Sequence, residues 1–316
     1  MSYSKYPLLD KKSLNTISID DRKSLVNTDT FGKVFTNGAG FTTFIDSLPD
    51  SLAAKELIEF VDVVKKARKN GKTIVLGMGA HIIKVGLSPI IIDLMERGWV
   101  SAIAVNGAFL IHDFEIAFAG KTSEDVADNL LNGRFGNVEE TGLFLNSALK
   151  EGYEVGMGAG ESVGRYMKGA DFKYNHFSIV QNAYRLNIPL TVHPAIGTDI
   201  IHFHPSFDGA ITGKLAERDF ILLASIISKI SQGGVFINIG SAVILPEVFL
   251  KAIAFCTAQG IELKDFYTAV FDFNKQYRSM ENVKKRPVEN GGKGYYFIGH
   301  HEIMVPLFCA MLKDNS

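Results

Sequence analysis

From Ser51 onward the chain alternates two kinds of hydrophobic pattern. "SLAAKELIEFVDVVKKARKNG" spaces its apolar residues three and four apart, begins on a serine, gathers basic residues in its last turn and stops at Gly71. That is the signature of an amphipathic helix facing a core. Six other runs are short, β-branched and contiguously apolar: "KTIVLGMG", "SAIAVNGAF", "YEVGMGAG", "IPLTVHPAIG", "GVFINIGSA" and "FYTAVFDF". Contiguous rather than alternating apolar residues predict strands covered on both faces. Between most of them lie helical patterns, in "LSPIIIDLMERG", "VEETGLFLNSALKEG", "HFSIVQNAYRLN", "RDFILLASIISKI" and "PEVFLKAIAFCTAQG". Parallel neighbours need crossover helices, so the alternation predicts a doubly wound α/β fold, a mostly parallel Rossmann-like sheet with helices on both faces.

Residues 1–50 break this rhythm. They are polar and turn-rich and read as an N-terminal arm that packs late or against a partner, leaving 51–316 as a single α/β domain. No repeat, low-complexity stretch or linker interrupts it.

Composition narrows the function classes. With 316 residues, 47% hydrophobic, and a net charge of −1, the chain carries no bulk field for nucleic acid or an anionic membrane. A small-molecule ligand is the expectation. Cys256 and Cys309 lie far apart without C-x-x-C spacing, as reduced thiols in a cytoplasmic protein do. No leader-like apolar segment or spanning helix is visible, so a soluble protein is expected.

Candidate chemistry clusters where predicted strands end. Gly77 and Gly79, Asn106-Gly107-Ala108, Gly156 to Gly160, Ala195 to Gly197, and Gly240-Ser241 all follow apolar runs. In open α/β sheets ligands sit beyond the carboxyl ends of strands, where glycine lets a phosphate approach free amides. No run fits G-x-G-x-x-G well, and a tight turn explains each one singly; their recurrence favours a nucleotide.

"HPAIGTDIIHFHP" holds His193, Asp199, His202 and His204, with His202 and His204 on one face if extended, as ligands of a metal or as lining of a polar pocket. "GHHEIMVP" adds His300, His301 and Glu302 without the i, i+4 spacing of a zinc helix. In "KKRPVENGGKGYYFIG", Lys284 and Lys285 read as surface lysines, whereas Lys293 sits among glycines that would admit a substrate. A lysine so placed can act as a nucleophile toward a carbonyl or imine.

Taken in order, these segments resemble the deoxyhypusine synthase family over roughly Gly38 to Phe308. "GFTTF" is similar to its entry segment, "VLGMGAHIIKVG" to its first NAD turn, "GRFGNV" to its Arg-Ile-Gly-Asn segment, "NIPLTVHPAIGTDIIHFHP" to its Pro-Ala…Gly-Asp…Phe-Phe-His segment and "RPVENGGK" to its Arg-Pro-x-Glu…Gly-Lys run. The resemblance implies an NAD cofactor, a polyamine or related amine as substrate, an active-site lysine that carries the aminobutyl group as an imine, and a homotetramer. It casts Lys293 as that lysine and Asp199, Glu289 and His202 as substrate-binding. Gly77, Gly79, Ala80, His81, Asn106, Gly107, Asp113, Gly240, Ser241, Gly299 and His300 would line the NAD pocket, with no metal. The sequence departs from the family where a tryptophan and a spacer before the lysine are missing, and where paired histidines after a triple glycine become "ILPE". His112 stands where an acidic residue is expected. The reading is therefore an NAD-dependent transferase or dehydrogenase on an amine rather than deoxyhypusine formation itself. The alternatives are a metal-assisted hydrolase or lyase using the strand-end histidines, and a non-catalytic nucleotide-binding protein on the same fold.

Overall fold

A computed structural model describes residues 5–314. By their contacts the residues fall into two units, 1–55 and 56–316. The first holds a short helix, α1 (Phe41–Asp46), and turns pinned by Lys33 N to Ser47 O at 2.8 Å and Asp50 N to Thr30 O at 3.1 Å. Its apolar side chains are largely exposed, Leu8, Leu9 and Val34 almost completely.

The second unit is built on one sheet. Helix α2 (Leu52–Lys69) leads into β1 (Ile74–Met78); α3 (His81–Lys84) and α4 (Ser88–Glu96) follow, then β2 (Ala102–Asn106). Next come α5 (Gly107–Ala119), α6 (Val126–Leu131), α7 (Glu139–Glu154), α8 (Ala159–Ala170) and α9 (Ile179–Arg185) before β3 (Leu190–His193). Then α10 (Gly209–Ile227), β4 (Val235–Ile239), α11 (Ile244–Ala258), β5 (Phe266–Asp272), α12 (Tyr277–Ser279), β6 (Gly292–Ile298) and α13 (His301–Lys313) complete the chain. The six strands run parallel in the order β3-β2-β1-β4-β5-β6. This is the doubly wound Rossmann-like arrangement the hydrophobic pattern predicts, and its order reverses between β1 and β4.

Strand side chains feed two cores. On one face Phe236 stacks on Phe249 of α11 at 3.8 Å and packs with Leu223, Ala252 and Val270. On the other, Phe60 of α2 meets Phe271, Tyr295, Phe297 and Phe308 at 5.1 to 6.4 Å. Every residue of β1 and β4 is buried, which explains their unbroken apolar runs.

Two expectations are corrected. "YEVGMGAG" is the end of α7, a turn and the start of α8. Gly156 turns the chain with φ +73°, and the Asp219 carboxylate, from α10, receives Gly160 N at 3.1 Å and Val192 N at 2.8 Å. Gly158 therefore makes room for Asp219, whose Oδ1 would lie 1.9 Å from a Cβ there, and Gly160 makes room for Leu190 O. Conversely, "GGKGYYFI", absent from the strands the pattern predicts, forms the edge strand β6.

Candidate active site at the carboxyl edge of the sheet

Parallel strands bring the ends of β1, β2, β3 and β4 to one edge. Met78 pairs with Val105 and with Ile239, and Asn106 pairs with His193, so the turns after these strands lie side by side at strand spacing, about 5 Å apart.

At the switch point the turn after β1 meets the turn after β4. Gly79 N donates to Ile239 O at 3.0 Å, and a Cβ on Gly79 would lie 2.2 Å from Gly240 O. Gly240 takes φ +65° and leaves room for the His301 imidazole, 3.2 Å from where its Cβ would stand. His301 is 1% exposed; its Nε2 lies 3.1 Å from Phe271 O while its Nδ1 is buried without a partner. The rings of His301 and His81 are 5.4 Å apart. Ser241 Oγ accepts from Leu245 N at 3.1 Å and starts α11. Among the described residues, the amides of Ala80, Ser241, Ala242 and Val243 have no acceptor. Free amides at the switch point, opening a 15-residue helix, suit the pyrophosphate of a dinucleotide. The residues present thus fit NAD there, through backbone rather than through glycine hollows. The space beside Gly77 is filled by the Phe236 ring, 2.7 Å from a would-be Cβ, which makes that glycine a packing residue.

The β2 and β3 turns build the other half. Asn106 caps α5 by accepting from Phe109 N at 3.0 Å. Gly107 is bare because Asp199 sits there, with Oδ2 1.9 Å from the position of a Cβ. Asp199 Oδ2 is buried with no hydrogen-bond donor. Burial pushes this carboxyl up to about 6. His202 faces it, Nε2 to Oδ2 3.7 Å, with both side chains about 5% exposed or less. His202 Nδ1 accepts from Gly197 N at 3.1 Å and Asp199 N at 3.3 Å, so its proton resides on Nε2, which lacks an acceptor. Burial lowers the His202 pKa and keeps the ring neutral. Two buried polar atoms 3.7 Å apart thus lack a hydrogen-bond partner among the described residues, an exception to the rule that buried polar groups are paired.

Several expected residues lie elsewhere. Lys293 is the second residue of β6 and pairs with Tyr267, at the amino end of the sheet. Six residues separate it from Gly299 at the carboxyl end, roughly 20 Å along a strand. Its Nζ binds Glu59 Oε2 at 2.7 Å, and Tyr295 OH donates to Glu59 Oε1 at 2.9 Å, tying β6 to α2. Glu289 is exposed near the same amino end. Asp113 is fully buried and accepts from Ile179 N at 2.7 Å, Val180 N at 3.2 Å and the Ser178 hydroxyl, so it clamps the start of α9. Gly299 packs on Met304, and His300 is exposed at the start of α13; the neighbour that faces the switch point is His301. β3 and β6 are opposite edges of the sheet, which separates His300 from His193, His202 and His204. Among the described residues no three His, Cys, Asp or Glu side chains converge as metal ligands. His204 turns toward Glu139, 3.6 Å away, and not toward Asp199.

His301 and Asp219 are the residues sequence reasoning undervalued. A histidine just after an apolar strand hinted at the first; nothing local marked the second. Cavities of about 530 Å³, between α4 and α9, and about 430 Å³, between α7 and α8, lie away from this edge.

The deoxyhypusine synthase family model matches residues 46–138, which include β1, β2 and their turns. A candidate deoxyhypusine synthase of Entamoeba histolytica superposes with a TM-score of 0.53 at 13% identity, covering 89% of this chain and 95% of that one. A candidate LOR/SDH protein of Methanococcus maripaludis S2 gives 0.52 at 13%, covering 95% and 76%. AgrE, in its ternary complex with ornithine and NAD+, gives 0.51 at 12%, covering 85% of this chain. This chain spans 34% of AgrE and the same share of ArgZ, an arginine dihydrolase of cyanobacteria. No curated protein matches. Among the described residues no helix is long and apolar enough to cross a membrane. The chain is thus similar to deoxyhypusine synthases over β1, β2 and their turns, and it shares the fold of the E. histolytica protein, a Rossmann-like parallel sheet.

Proposed function

We propose that the protein is an NAD-dependent enzyme of the deoxyhypusine synthase type that oxidises a polyamine or related amine. The observation that carries this reading is Asp199 Oδ2, a buried carboxylate oxygen with no donor, one strand from the free amides of the switch point. An alkylammonium N–H supplies the missing donor as a charge-assisted hydrogen bond, worth more here than in water because the site is desolvated. His202 Nε2–H, held by two backbone amides, then donates to an acceptor on the substrate or to Asp199.

NAD, when bound through Ala80, Ser241, Ala242 and Val243, supplies the hydride acceptor. Asp199 and His202 hold the amine so that the carbon beside its nitrogen reaches that acceptor, and their burial keeps water from the cation. Once the bound ammonium has given up a proton and its nitrogen holds a free electron pair, loss of hydride from that carbon would leave an iminium. Capture by water makes the enzyme a dehydrogenase, and capture by a second amine makes it an aminoalkyl transferase. This reading assigns Lys293, at the amino end of β6, no step. The expected homotetramer belongs to this reading, with the exposed apolar residues of 1–55 as the surface another copy would cover.

Calorimetric titration with NAD and with spermidine tests the proposal. Both should bind the wild type, and Asp199→Asn should weaken spermidine by about tenfold or more, 1.4 kcal/mol, while NAD affinity changes little. A wild type that binds neither ligand overturns it.

A further inference from the structure

His193 ends β3 in register with Asn106, is 5% exposed, and makes one side-chain hydrogen bond, from ring Nε2 to Thr191 Oγ1 at 2.9 Å. The two residues share a face of the strand because they are two apart. Thr191 Oγ1 also reaches Ile103 O at 3.4 Å, and when it donates there it accepts from His193, the arrangement in which the imidazole proton is on Nε2. That leaves Nδ1 with a lone pair. Nδ1 has no partner among the described residues and, unlike His202 Nε2, is not sealed from solvent.

We infer that His193 is the general base of the proposed amine oxidation, taking the ammonium proton on Nδ1. This rests on the reading above. An ammonium cannot lose hydride from its α-carbon because its nitrogen has no electron pair to form the C=N bond. At His193 the substrate N–H bond breaks, an Nδ1–H bond forms, and the pair stays on the amine nitrogen. That pair then forms the C=N bond as hydride leaves for the oxidised nicotinamide. The substrate loses one proton to His193 and one hydride to the dinucleotide, and the imidazolium returns its proton to water through the accessible Nδ1.

Burial holds the free His193 pKa down at about 4, so the ring is neutral near neutral pH, while desolvation of the bound ammonium eases its own loss of a proton. The elements packed on β3 are β2, α5, α8, α9, α10 and α11, and of their charged groups Asp219 of α10 reaches the strand, through Val192 N at 2.8 Å. None hydrogen-bonds His193.

The test joins NMR with kinetics. In the unmutated protein without NAD, ¹⁵N spectra of His193 should show the Nε2–H tautomer, and spermidine should shift Nδ1. His193→Gln should lower kcat by about a hundredfold. Its KM for the amine should stay within about threefold, and the acidic limb of the kcat–pH profile should vanish while the limb that Asp199 imposes on kcat/KM remains. An Nδ1–H tautomer, or a His193→Gln enzyme with the wild-type profile, overturns the assignment. If spermidine still binds the wild type and is lost in Asp199→Asn, only the role of His193 falls. If no amine binds the wild type, the proposed function falls with it.

Discussion

A carboxylate oxygen buried without a donor costs stability, and Asp199 Oδ2 is such an atom. Its pKa is raised from 3.8 to about 6 by burial, so the folded state binds its proton more tightly than the unfolded state does. The contribution is complete below pH 3.8 and is lost as pH rises toward 6. We expect the unfolding free energy of the wild type to fall across that window by about 3 kcal/mol from this residue, and Asp199→Asn to flatten the fall in urea titrations from pH 4 to 7. Lys293 makes the opposite kind of prediction. Its ion pair with Glu59 is nearly half exposed, so Lys293→Ala should cost no more than about 1 kcal/mol. Borohydride trapping with the amine substrate should find no adduct on Lys293; a trapped adduct there would return the lysine to the mechanism. The sequence displayed the residue types of the site, and Asp199, His202, Asn106 and Gly107 do come together. It did not display which end of a strand a residue occupies. Lys293 reads as a strand-end lysine only when β6 is taken for a loop.

Elements were legible wherever periodicity was clean, and were misread where glycine served packing. In "GMGAG" the turn after α7 looks like a phosphate loop, yet the start of α8 receives an internal anion, Asp219, at the place where a ligand would otherwise sit. The carboxylate comes from α10, about sixty residues on, so no local pattern could reveal it. Asp219→Ala would strand the amides of Gly160 and Val192 in a dry interior, with an expected loss of about 2 to 6 kcal/mol, taken at roughly 1 to 3 for each unsatisfied group. Gly160→Ala would place a methyl 1.9 Å from Leu190 O and should destabilise by about 1 to 3 kcal/mol, read from urea midpoints. Because burial raises Asp219 to about 7, its contribution is present in acid and lost between about pH 4 and 7, the same sign as Asp199.

At the scale of the molecule, strand order was not written in any one segment, but the alternation of buried runs and helices was enough to require a parallel sheet, and the parallel sheet alone brings the turns of β1 to β4 to one edge. What it builds there is two half-sites on adjacent strands: free amides where β1 meets β4, and a desolvated carboxylate where β2 meets β3. Their independence can be tested with two glycines. Gly107→Ala would put a methyl 1.9 Å from Asp199 Oδ2 and must displace a side chain, whereas Gly79→Ala would meet Gly240 O at 2.2 Å and must push the β1 and β4 turns apart. The first should weaken spermidine by about tenfold or more and leave NAD nearly unchanged; the second should do the reverse. Thermal shifts supply the control, since each ligand raises the melting temperature only through the fold that still binds it. Equal loss of both ligands in both variants would mean a single continuous site, and the division of labour between the two pairs of strands would have to be abandoned.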